Sequence, residues 1–161
     1  MNRHTLPFLA AASVFVPCAV HAQMSAVKVA TAHAVVKPAA ISRGSKGTMV
    51  VTLSVGPKYH VNARKPNDPA YIPTTFTAQP TPGIKFGNVQ YPAPKLMKLS
   101  YSPKPLLVYT GQVVILVPFT VTAAVKPGFL PLSGVVDFQG CDTKSCFPPA
   151  TALVKTVFVV K

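Results

Sequence analysis

The chain has 161 residues, 18 of them proline, and carries 16 lysines and arginines against 3 acids, a formal charge of +13. Glutamate and tryptophan are absent, and the acids are Asp68, Asp137 and Asp142, too few for the paired-carboxylate chemistry of hydrolases. The basic residues are scattered singly among proline and valine without interleaved aromatics, which argues against a nucleic-acid surface and leaves a generally basic face that attracts acidic partners.

Taken in chain order, the first 22 residues read as a cleavable export signal. A basic start, MNRH, leads into the apolar run LPFLAAASVFVPCAV and the small-residue site Val20-His21-Ala22. That run of about 15 residues falls short of the roughly 20 that span a bilayer. Phe15-Val16-Pro17 before Cys18 is not the small-residue context of a lipid-anchored cysteine. The mature chain is expected to begin at Gln23 as one domain over 23–161, in the periplasm or, as second choice, secreted. Cys18 leaves with the signal, and Cys141 and Cys146 remain as a pair in an oxidising compartment.

The mature sequence has a β composition, rich in valine, threonine and proline. Residues 47–55 alternate, with Met49, Val51, Leu53 and Val55 on one face, and 113–122 alternate with Val113, Ile115, Val117, Phe119 and Val121 inward. Further strands are predicted over 27–36, 71–78, 84–89, 106–109, 129–138 and 152–160. Turn signals separate them: RGSKG at 43–47, GPK at 56–58, KPNDP at 65–69, QPTPG at 79–83 and KPG at 126–128. No window carries a capped helical stripe. The expected fold is all-β, an immunoglobulin-like antiparallel β-sandwich with its prolines on edge strands and in loops.

The cysteines lie five positions apart, so a disulfide requires the segment to turn back on itself. A hairpin with loop 142–145 and the cysteines as its last cross-strand pair does this. If Leu132, Val136 and Phe138 face the core, parity puts Cys141 with Val135, Asp137 and Gln139 toward solvent, unless Gly140 introduces a bulge. Closing so short a loop contributes only about 2 kcal/mol. The residues leave three uses open: a structural staple, an exchangeable disulfide, or part of a metal site. For the last, the other mature ligands are His33, His60 and the dispersed Met24, Met49 and Met97, without ligand-like spacing. No metal or cofactor is expected. His60, in KYHVNA, has the one suggestive polar neighbourhood, and the simpler reading is a strand-end histidine hydrogen-bonded to a loop. The exchange reading requires a sulfur that can be reached beneath a movable loop; a pair sealed under large side chains favours the staple.

Four strings, YHVNARKPNDPAYIPTTF (59–76), YPAPK (91–95), LVYTG (107–111) and FQGCDTKSCFPP (138–149), together resemble the amino-terminal domain of the thiol:disulfide interchange protein DsbD and its stand-alone relatives. The similarity runs over roughly 48–161, and the last string is the most specific. The resemblance implies an immunoglobulin-like module whose Cys141–Cys146 pair cycles between disulfide and dithiol. Cys146 would form mixed disulfides with thioredoxin-fold partners, and Cys141 would resolve them. A membrane domain would be the electron donor, no nucleic acid would be bound, and the protein would work as a monomer with thiol:disulfide interchange or protein-disulfide reductase activity. Family members shield the pair with a loop that carries an aromatic side chain. LSYSPKPLLVY (99–109) occupies that stretch and makes Tyr101 the candidate cap residue, the alternative being an ordinary edge-strand connection.

Overall fold

The computed structural model describes residues 29–161; the signal predicted at 1–22 lies outside them. The described residues form strands and turns with no helix, and so no helix long and apolar enough to cross a membrane. In chain order the strands are β1 (Ala30–Lys37), β2 (Ala40–Ile41), β3 (Lys46–Val55), β4 (His60–Asn62), β5 (Thr75–Ala78), β6 (Ile84–Phe86), β7 (Lys95–Met97), β8 (Leu106–Tyr109), β9 (Gln112–Val121), β10 (Gly128–Phe138), β11 (Gly140–Cys141) and β12 (Ala150–Val160). They make three sheets, ordered β1-β3-β9-β6, β2-β12-β10-β5 and β11-β4-β8-β7. Every pairing is antiparallel except β2 with β12.

Alternation builds the sandwich. β3 and β9 pair in the register Val51↔Ile115 and Met49↔Val117, and their inward residues are fully buried. The second sheet supplies Leu132, Val136 and Phe138 from β10 and Val154, Phe158 and Val160 from β12 to the same core. Phe119 of the first sheet meets Phe158 of the second with ring centroids 5.3 Å apart. Each such side chain contributes about 1.5–3 kcal/mol on burial, so the two large sheets hold the domain together. The result is an immunoglobulin-like antiparallel β-sandwich.

Several expected boundaries shift for identifiable reasons. The strand predicted over 71–78 begins only at Thr75, because residues before it fasten to β4 by side chains: Thr74 Oγ1 donates to Asn62 O (2.6 Å) and Asn62 Nδ2 to Ile72 O (3.0 Å). The strand predicted over 84–89 ends at Phe86. Pro118 and Pro131 lie inside the long strands β9 and β10 rather than in loops. Pro118 O accepts from Gly87 N, just past the end of β6 at Phe86, so the missing Pro118 N–H falls outside the β6 ladder. Pro131 pairs with Val157 of β12, while β5 joins β10 only from Gly134 onward, so β10 is locally an edge.

The third sheet is built from short strands of two to four residues. A second, small core of Leu99, Leu106 and Val108, with Tyr71, Met97 and Tyr101 packed against it, lies beside this sheet. Here the chain places its cysteines.

Candidate redox site at Cys141 and Cys146

β10 follows β12 as far as Phe138↔Ala150, and the chain then changes sheets. Gln139 sits at the crossing. Its Oε1 accepts from Asn62 Nδ2 (3.1 Å) and Ile72 N (3.4 Å), and its Nε2 donates to Phe147 O (3.2 Å). Beyond it, Gly140 pairs with Val61 and Cys141 with His60 on β4. Gly140 presses on Val29 so closely that a Cβ there would lie 2.4 Å from a Val29 methyl, so the crossing requires glycine.

The change of sheet breaks the period of two. Phe138, Gly140 and Cys141 are all buried, and Cys141 is 0% exposed. The placement of Cys141 toward solvent is therefore incorrect: its side chain takes its orientation from β4, a new partner, rather than from the continuation of β10. Gly140 is where the parity changes.

After Cys141 the chain reverses over 142–145. Asp142 Oδ1 accepts from Lys144 N (2.7 Å) and Ser145 N (2.8 Å), an Asx-type turn. These two amides hold the Asp142 carboxyl below the usual carboxylate range. Asp142 N donates to Ser145 O and Phe147 N to Gly140 O, which closes the hairpin. Cys146 thereby faces Cys141 across an antiparallel bridge, with Cα atoms 3.9 Å apart and a disulfide between the sulfurs. Cys146 is half-buried, beneath the loop between β7 and β8, where Cys141 is fully buried.

The loop 98–105, between β7 and β8, lies against this hairpin. Ser100 Oγ donates to Thr143 O at 2.6 Å. Tyr101 Oη lies 3.7 Å from Cys146 Sγ and 2.8 Å from His60 Nε2. The Tyr101 and His60 rings are nearly parallel, 9° apart with centroids at 6.3 Å, and the Tyr71 ring is tilted against Tyr101. Burial, with the neighbouring Tyr71 and the Asp142 carboxylate adding to it, pushes the Tyr101 hydroxyl up to about 12, so it keeps its proton. Burial also holds His60 below the ordinary histidine range, against the opposing pull of the Asp142 carboxylate. A disulfide sulfur has no hydrogen to give, so across the 3.7 Å contact it can only accept from Tyr101. Between Tyr101 Oη and His60 Nε2 the tautomer sets the donor, and with the ring hydrogen on Nδ1 the imidazole accepts from Tyr101.

Of the residues singled out by sequence, the structure gathers Cys141, Cys146, Tyr101 and His60. It leaves His33 in β1, opposite Thr52 of the first sheet. Among the described residues no three of His, Cys, Asp or Glu come together as a metal site. Sequence reasoning missed Ser100, Asn62 and Gln139. Asn62 had a signal, as a polar residue two positions from His60 in a valine-bearing strand.

The sequence profile described as "Thiol:disulfide interchange protein DsbD, N-terminal" matches residues 26–157. The chain belongs to the DsbD amino-terminal domain family. No curated protein matches this DsbD-family chain in sequence. Among solved structures, the N-terminal periplasmic domain of ScsB from Proteus mirabilis is similar at a TM-score of 0.51 and 12% identity, covering 77% of this chain and 43% of that one. The likeness is one of fold, and the chain spans less than half of the ScsB chain. The Neisseria meningitidis DsbD N-terminal domain in its reduced form also matches, at a TM-score of 0.41 and 18% identity over 70% of this chain and 75% of that one.

Proposed function

We propose that this DsbD-family domain is a periplasmic thiol:disulfide exchange module that relays electrons to or from thioredoxin-fold partners through Cys141 and Cys146. The observation that carries this reading is the asymmetry of the pair: a half-buried Cys146 beneath a loop, joined to a sealed Cys141. A partner thiolate would attack Cys146 Sγ, form a mixed disulfide and release Cys141. A second partner thiolate would then free Cys146 as the partner becomes oxidised, and the reduced pair would pass the same two electrons to a client disulfide by the reverse sequence.

The loop over Cys146 must move for a partner to reach it. Two side-chain hydrogen bonds tie it down, Ser100 to Thr143 and Tyr101 to His60. At about 0.5–1.5 kcal/mol each they add to the packing of Leu99 and Tyr101 in the small core. Such a latch protects the disulfide without locking it. The rival, an inert staple in a partner-binding sandwich, draws its support from the complete burial of Cys141.

Electron transfer separates the two. Reduced protein mixed with an oxidised thioredoxin-fold protein is expected to lose two thiols as its partner gains two, read by mass after alkylation. No transfer in either direction would leave the staple.

A further inference from the structure

Thiol chemistry at Cys146 needs a base, and the site has few. Of the acids in the described chain, Asp68 caps Ala70 N and Asp137 accepts from Thr151 Oγ1 on the outer face of β10. Asp142 is near, but the two backbone amides on its Oδ1 hold its carboxyl below the usual carboxylate range and make it a weak base for a thiol. Lys144 is exposed at the hairpin tip and is a cation already. Tyr71 contacts Tyr101 rather than sulfur. One group remains in line: His60, 3% exposed, cross-strand from Cys141 and bonded to the hydroxyl that touches Cys146.

We propose that His60 is the proton acceptor for Cys146, reached through the Tyr101 hydroxyl, and that the two are joined as a relay that reverses direction with redox state. The inference rests on the exchange reading. In the disulfide state Tyr101 donates to His60 Nε2. When a partner dithiol supplies two electrons and two protons and becomes a disulfide itself, one proton stays on Cys141 as a thiol. The other ends on His60 Nε2. The protonated imidazole then donates to Tyr101 Oη, and Tyr101, its hydrogen count unchanged, donates to the Cys146 thiolate. The products are a thiol, a thiolate, an imidazolium and the partner disulfide, so charge and electrons balance.

The surroundings suit both states. Neutral His60 is favoured by burial while sulfur carries no charge. Once Cys146 is a thiolate, the imidazolium gains an opposite charge across one hydroxyl and a second in Asp142, the carboxylate that already pulls His60 toward protonation. Tyr101 keeps its proton throughout. A buried base also escapes direct competition from water, so the thiolate forms only where the relay is intact.

Two readouts test this on the full domain. Followed by NMR, the His60 ring is expected to titrate at higher pH in the reduced protein than in the oxidised one, and Tyr101→Phe is expected to shrink that difference. Reaction of the reduced protein with oxidised glutathione at pH 7 is expected to slow about 10²-fold in Tyr101→Phe, the low end of what a positioned acid–base group contributes. Loosening of the loop alone would raise that rate, so the sign is diagnostic. His60→Gln gives the same slowing by an independent route. Equal His60 titration in both redox states, or an unchanged rate in Tyr101→Phe, overturns the relay and leaves exchange standing. If the unmodified reduced protein does not react with glutathione disulfide at all, exchange falls and the relay with it.

Discussion

Cys141→Ser is expected to accumulate as a mixed disulfide through Cys146 when mixed with an oxidised thioredoxin-fold partner, whereas Cys146→Ser is expected to form none. The difference follows from access. Cys146 lies half-buried at the end of the hairpin, with Tyr101 resting on its sulfur; Cys141 is sealed by the shift from the second sheet to the third. On the proposed exchange, a partner sulfur reaches only Cys146 once the loop has moved, and it is released by attack from Cys141, which serine cannot supply. Net exchange should disappear in both variants. Non-reducing gels and intact mass check it, the adduct appearing in one variant alone; adducts of equal yield in both would show that Cys141 is equally open.

Phe158→Ala should cost about 3–5 kcal/mol, a large part of the 5–15 kcal/mol that holds a domain, read as a lower denaturant midpoint. Phe158 pairs with Leu130 on β10 and packs on Phe119 of the other sheet, so its removal opens a cavity where the two layers meet. The size of this loss bears on function. The disulfide closes a loop of only six residues and contributes about 2 kcal/mol by chain entropy. A domain fastened by its inter-sheet core stays folded when that bond opens, as a cycling pair requires.

The long strands were legible because alternation needs length. In β3 and β9, ten residues each, the inward positions read from sequence are the buried ones. β2, β4, β7 and β11 have two or three residues, too few for a period to show. Parity failed at Cys141 for a related reason: it holds along one strand, and the chain leaves β10 at Gln139. The site was legible in part. The cysteine string carried the family resemblance, and Tyr101 stood out as the aromatic in the covering loop. Its bond to His60 joins residues 41 positions apart, and nothing local encodes that meeting. It depends on β4 and β8 lying side by side in the third sheet.

Whether the Cys141–Cys146 bond is made to be broken is tested most directly by its reduction potential, measured by counting free thiols after equilibration in glutathione buffers. A midpoint between about −120 and −270 mV, the span of proteins that exchange disulfides, is expected. A midpoint below about −300 mV, where structural disulfides lie, would contradict exchange and make the bond a staple.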